Sequence, residues 1–249
     1  MLHIFVEPAQ TQGETLLLTG GDCNHIRNVL RMKPGEEISV SNGADGREYR
    51  YGIERFTDDG VLCRLRFVKE ADVELPVQVL LFQGLPKAEK MEWIVQKCTE
   101  LGVCEIVPVE MERCVVRLDG AKRKKKTERW QAIAQAAAQQ SRRGIVPAVR
   151  EPMTMAQALS YAREQAQTIL LPYELQENDG GTRRVFKEAA RSGARLAVFI
   201  GPEGGFAPQE VEQARAAGAV PITLGRRILR TETAGMTVLS WVIYETEIG

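Results

Sequence analysis

Apolar positions along the chain follow two different rhythms. Up to about residue 70 the runs are short, and several alternate apolar with polar side chains: Leu2–Val6, Leu16–Leu18, Glu37–Ser41, Glu48–Phe56 and Val61–Val68. Period-two alternation predicts half-buried antiparallel strands. Asn42-Gly43 and Asp58-Asp59-Gly60 supply turn chemistry between them. One helical pattern interrupts near Asp22–Arg31, with Ile26, Val29 and Leu30 on one face, and Pro34-Gly35 stops it. Short strands at this spacing predict a small barrel or curled sheet.

The charged, proline-containing stretch Lys69–Pro76 reads as a linker, giving expected domains of 1–70 and 71–249. Beyond it, continuous apolar runs take over: Val77–Phe82, Ile106–Val109, Thr168–Leu171, Leu196–Ile200 and Pro221–Leu224. Such runs suit parallel strands covered on both faces. Helical stripes lie between them: Met91 to Leu101 stopped by Gly102, Trp130 to Ala138, Pro208–Ala217, and Thr233 to Tyr244. Strand and helix in alternation predict an α/β domain with a parallel sheet.

Composition alters little in that picture, but charge alters it more. The 249 residues are 44% hydrophobic and 27% charged, as in an ordinary globular protein. No apolar run reaches the roughly 18–20 residues that cross a bilayer, and the N-terminal residues do not read as a signal peptide. Five cysteines without a Cys-x-x-Cys pair read as reduced thiols of a cytoplasmic protein, with no metal site expected. Lys+Arg and Asp+Glu are both 33, so the net charge is zero. Yet the window Arg113–Arg143 holds ten cations against two acids, leaving 23 cations against 31 acids elsewhere. Neutrality is therefore a sum of opposites. The run Lys122–Lys126 is expected to be a solvated loop, as a bare connection or as a contact for polyphosphate, RNA first among them.

The candidate chemistry sits at strand ends. Leu196–Ile200 runs into Gly201-Pro202-Glu203-Gly204-Gly205-Phe206, and a helix begins at Pro208. The spacing is neither Gly-x-Gly-x-x-Gly nor a P-loop, so dinucleotide and nucleoside-triphosphate readings lose support. A second strand ends in Leu224-Gly225-Arg226-Arg227-Ile228-Leu229-Arg230-Thr231-Glu232-Thr233-Ala234, and a third in Leu171-Pro172-Tyr173-Glu174. Ligands of open α/β sheets bind at the carboxyl ends of strands, so three such ends predict one pocket.

These motifs closely resemble the SPOUT methyltransferases, and more narrowly the bacterial 16S ribosomal RNA uracil-N3 methyltransferases. The resemblance extends over nearly the whole chain. It includes His25-Ile-Arg-Asn-Val-Leu-Arg31-Met-Lys33-Pro-Gly35, Gly84-Leu-Pro-Lys87, Met91-Glu92-Trp93, Lys97-Cys-Thr-Glu100-Leu-Gly102 and Gln139-Gln-Ser141-Arg142. It implies a PUA-like RNA-binding β-barrel, then an α/β domain tied in a trefoil knot. It also implies a homodimer, S-adenosylmethionine as cofactor and small-subunit ribosomal RNA as substrate. The alternatives are a related methyltransferase acting on transfer RNA or a ribose 2′-hydroxyl, and a non-catalytic RNA-binding protein.

Under that reading Leu171, Gly201, Pro202, Gly204, Leu224, Gly225, Ile228, Leu229 and Thr231 surround the cofactor. Uracil N3 is not nucleophilic until its proton leaves, so the site needs a base or a cation that stabilises the anion. His3 and His25 both lie in the N-terminal half. Arg230 is the candidate cation, with a salt bridge or an RNA-phosphate contact as its other reading. Glu203 is the candidate carboxylate, with capping of its own turn as the other reading, and Glu232 and Glu100 are weaker candidates. The candidates for gripping RNA are Arg27, Arg31, Lys33, Lys87, Arg117, Lys124, Arg142 and Arg143.

Overall fold

The computed structural model describes residues 1–70, 72–174 and 181–248. The chain forms two compact units: Met1–Glu74 with Ala138–Val146, and Leu75–Ala137 with Pro147–Gly249. The first unit therefore includes a returning segment that no linear division at residue 70 contains. Ala71 of the expected linker lies outside the described residues.

The first unit is a five-stranded curled sheet ordered β1-β3-β4-β5-β2. Its strands are β1 (His3–Phe5), β2 (Thr15–Leu18), β3 (Glu37–Ser41), β4 (Arg47–Phe56) and β5 (Val61–Glu70). β1 runs parallel to β3, and the other pairings are antiparallel. Two register shifts between β4 and β5 bend the sheet around its core. Ile4, Leu16, Ile38, Val40, Tyr51 and Ile53 are fully or nearly fully buried there. The expected helix differs at its end. α1 (Gly20–Asn24) continues as a π-helical turn only to Val29, and Arg31 adopts a left-handed φ of 52°. Arg27 and Arg31 therefore do not share a helix face.

The second unit is an all-parallel sheet ordered β12-β10-β11-β6-β7-β8, with β9 also paired to β7. Its strands are β6 (Gln78–Gly84), β7 (Glu105–Glu110), β8 (Ala148–Val149), β9 (Met153–Thr154), β10 (Thr168–Pro172), β11 (Arg195–Ile200) and β12 (Val220–Ile222). The central strands are buried almost throughout, as their unbroken apolar runs require. Phe82 and Phe199 sit in register on neighbouring strands and stack at 4.4 Å between ring centroids.

The helices are α2 (Lys90–Glu100), α3 (Gly120–Gln140), α4 (Met155–Gln165), α5 (Gly181–Ala189), α6 (Pro208–Ala216) and α7 (Thr231–Ile243). The last packs on α2, β6 and β11. Burial pushes the Cys63 and Cys98 thiols up to about 12, so both stay neutral.

Lys122–Lys126 is not a loop. It is the first part of α3, and the reason is electrostatic. Asp119 accepts the Lys122 backbone N–H at 3.0 Å and pairs with the Lys122 ammonium at 2.9 Å, capping the helix. Glu110 takes Arg123 at 2.5 Å, and Glu92 takes Arg129 at 2.7 Å and Lys126 at 3.8 Å. Acids from distant elements thus offset the local repulsion.

Candidate functional site

The carboxyl ends of β10, β11 and β12 open onto one crevice of about 380 Å³, within the range of small-molecule sites. Its floor is the turn after β11. Gly205 N–H donates to Pro202 O at 2.9 Å, and Gly205 takes a φ of 67°. A Cβ on Gly201 would lie 3.2 Å from the Gly205 backbone, so the turn closes this tightly only without one. Glu210 of α6, itself buried, locks the far end by accepting Ala207 N–H at 2.9 Å and Glu112 N–H at 2.8 Å.

The loop after β12 forms the opposite wall. Thr223 Oγ1 accepts Gly225 N–H at 3.2 Å, and Gly225 has a φ of 106°. Arg230 lies at the N-cap of α7, and Thr231 begins the helix. Thr231 Oγ1 donates to Gly201 O at 2.6 Å, which joins this wall to the floor.

Most expected residues meet here. Gly201, Pro202, Glu203, Leu224, Gly225, Ile228, Leu229, Arg230 and Thr231 all line the crevice. Two cofactor candidates do not. Leu171 is fully buried in the core, and Gly204 turns away to accept Arg113 Nη1 at 2.9 Å. Strand periodicity alone does not say which residue of a strand end faces its ligand. Tyr173, Glu174 and Arg226, which belong to the strand-end motifs without being singled out in them, line the crevice too, and so does Lys90, which lies outside those motifs. Lys90 was hardest to see, because its partners are distant in sequence: Glu203 at 3.0 Å and Glu232 at 3.5 Å.

Glu203 is fully engaged. It accepts Lys87 N–H at 3.1 Å besides its Lys90 pair. Burial works against its charge, but hydrogen bonds from its own loop, from Lys90 and from Lys87 outweigh that, so its carboxyl is held below the usual carboxylate range. The hydrogen bond to Glu203 likewise keeps Lys90 protonated above its ordinary range.

The expected RNA contacts divide. Arg27 is committed to the fold, donating to Thr57 O at 2.8 Å and lying 5.3 Å from the Phe56 ring centroid. Arg143 is buried against Glu74, with their closest atoms 2.6 Å apart. Arg117 donates to Met111 O and Glu112 O at 3.2 Å each. Arg31, Lys33, Lys87, Lys124 and Arg142 are exposed. Among the described residues no cluster of metal-ligating side chains occurs, and no helix is long and apolar enough to cross a membrane.

Comparison with known proteins bears on what this crevice serves. Residues 73–243 match the family described as RNA methyltransferase domain, and residues 18–66 match the RNA methyltransferase PUA domain. The chain is 38% identical to the Ribosomal RNA small subunit methyltransferase E of Bacillus subtilis, over all of this chain and 98% of that one. The protein of the same name from Mycobacterium tuberculosis is 33% identical, over 96% and 89%. Among solved structures, a Ribosomal RNA small subunit methyltransferase E from Neisseria gonorrhoeae, bound to S-adenosyl methionine, superposes with a TM-score of 0.82. It is 30% identical over 98% of this chain and 97% of that one. A Legionella pneumophila methyltransferase with bound cofactor SAM gives a TM-score of 0.80 at 33% identity, over 97% and 96%.

Proposed function

The chain belongs to the RNA methyltransferase family, and from that premise we propose that it methylates N3 of one uridine in 16S ribosomal RNA of the small subunit, with S-adenosylmethionine as donor. One observation carries this reading furthest: three strand ends close a single crevice, and Arg230 stands at its edge on the N-cap of α7.

The crevice fits the cofactor's chemistry. Ile200, Leu224, Leu229 and Ala234 offer apolar walls for a flat heteroaromatic ring, and the backbone of Gly201 and Gly225 is open to close approach. Glu174 places a carboxylate in the same crevice, suited to a cationic group. When bound, S-adenosylmethionine supplies a methyl group already activated on a sulfonium, so alignment provides much of the acceleration. The protein's harder task is the acceptor. Arg230 stabilises the negative charge that uracil oxygens gain as the N3 proton departs. Glu203 does not serve as the base: a carboxylate held below its usual range, with its oxygens already engaged, is a poor proton acceptor. Its role is to fix Lys87 and Lys90 beside the turn.

The second unit performs the transfer, and the first unit grips RNA so that the target base can be splayed out. Arg31, Lys33 and Arg142 on the first unit, with Lys87, Lys124 and Lys125 on the second, contact phosphates. Arg27, Arg117 and Arg143 are occupied within the protein. Exposed Trp93 on α2 and Tyr244 after α7 supply apolar surface for a homodimer. The protein works in the cytoplasm, where its substrate is assembled.

The test is mass spectrometry of 16S ribosomal RNA from cells with and without the gene. One 3-methyluridine should vanish on deletion and return on complementation, and its persistence would refute the reading. The Lys124→Ala, Lys125→Ala double variant should bind RNA more weakly. Its log-affinity against log-salt slope should flatten by about 1–2, the loss of up to two phosphate contacts. An unchanged slope would leave this part of α3 without a role in RNA binding.

A further inference from the structure

Gln83 is a polar side chain in the middle of the second unit's core, fully buried near the end of β6. It lies opposite Ile200, the residue before the glycine turn. Its Nε2 donates to Thr231 Oγ1 at 2.8 Å and to Gly84 O at 3.0 Å. Gly84 O can only accept, which fixes the amide with nitrogen on this side. The Thr231 hydroxyl has one hydrogen and gives it to Gly201 O at 2.6 Å, so toward Gln83 it must accept. The direction is therefore set: Gln83 N–H to Thr231 O–H to Gly201 C=O.

This chain of two bonds joins the end of β6, the floor of the crevice and the first residue of α7. Packing makes the junction stiff. A Cβ on Gly84 would meet Pro202 at 2.7 Å, so β6 ends directly beneath the turn. Bonds in series within a low-dielectric core strengthen one another, and a lost donor leaves a buried hydroxyl short of a partner. Arg230 precedes Thr231, and its carbonyl accepts Thr233 N–H at 2.9 Å and Ala234 N–H at 3.0 Å in the first turn of α7.

We propose that Gln83 is a positioning residue for the methyl-transfer step: through Thr231 it fixes Arg230 relative to the Gly201 turn. The proposal rests on the role given to Arg230 above. Gln83 touches neither substrate nor cofactor, since it does not line the crevice.

Two variants break the relay, Gln83→Met at its donor end and Thr231→Val at its middle, and their double variant tests whether they act as one. Hydrogen–deuterium exchange on the cofactor-free protein comes first. Amides of the first turn of α7 should exchange faster in Gln83→Met, and unchanged exchange overturns the proposal whether or not the protein is a methyltransferase. In steady-state methylation, Gln83→Met should lower kcat by about tenfold, the worth of one good buried hydrogen bond, with KM for S-adenosylmethionine changed less than about threefold. The double variant should lose no more kcat than the worse single variant. Equal losses in kcat and cofactor affinity, additive losses, or full kcat in Gln83→Met would each overturn the positioning role. Absence of methyl transfer by the unmodified protein would instead count against the proposed function, leaving the exchange result to judge the relay.

Discussion

Arg230→Ala should abolish most turnover while leaving S-adenosylmethionine binding nearly intact. The guanidinium is exposed at the crevice, and its backbone, not its side chain, caps α7. Alanine therefore removes charge without removing the helix start. Losing one group aimed at developing negative charge in a sheltered site costs about 10²–10³ in kcat. Single-turnover rates with saturating RNA, beside calorimetric titration of the cofactor, separate the two effects. Arg230→Lys should fall between, because an ammonium keeps the charge but loses the planar fork that can bridge two acceptors. A collapse of cofactor affinity in Arg230→Ala would assign the side chain to the cofactor instead. Unchanged turnover would leave the uracil anion without its proposed partner and return attention to the other cations lining this crevice, Lys90, Arg226 and Arg227.

How much of this was legible in the sequence depends on the range of the forces involved. Strands written by local apolar rhythm were found at nearly their true limits; Glu37–Ser41 is one, and Leu196–Ile200 lies one residue inside β11. Two helices escaped notice. One of them, α4, had a visible signal: Thr154 and Gln157 cap it reciprocally, the Thr-x-x-Gln pattern of a capping box. The basic start of α3 misled for a different reason. Five adjacent cations do repel, but Glu92 and Glu110, which help hold them, arrive from other elements. Nothing in the local pattern announces them. The crevice shows the same divide. Glycine spacing and strand ends located its floor, because tight turns are a local property. Lys90 and Gln83 act through partners more than a hundred residues away, and only the folded sheet brings them together.

Arg143 is the residue whose meaning changed most, and it carries the largest stability prediction. Its side chain is 4% exposed and that of Glu74 18%. The carboxylate accepts two guanidinium nitrogens and also the backbone N–H groups of Gly144 at 3.0 Å and Ile145 at 3.2 Å. This single acid thereby anchors the returning segment 138–146 to the rest of the first unit. Removing one partner of a buried pair leaves the other's charge uncompensated, at about 3–5 kcal/mol. Arg143→Ala should therefore lower the Tm of the first unit's transition by roughly 10 °C or more, as scanning calorimetry would show. Glu74→Ala should do at least as much harm, because it removes an acceptor of the guanidinium and of two backbone amides together. Replacing both with apolar residues should recover part of the loss, since no buried charge then remains. RNA binding measured well below the transition separates this from the expectation that Arg143 grips phosphate. A buried structural arginine leaves the salt slope unchanged, whereas a phosphate contact would flatten it by about 0.7–0.9. Arg142, one residue earlier, is exposed with a left-handed φ of 61°, and its replacement should show the reverse: a flatter slope and an unmoved Tm. Neighbours of identical chemistry are thus assigned opposite work by burial alone, and the paired measurements decide whether that assignment holds.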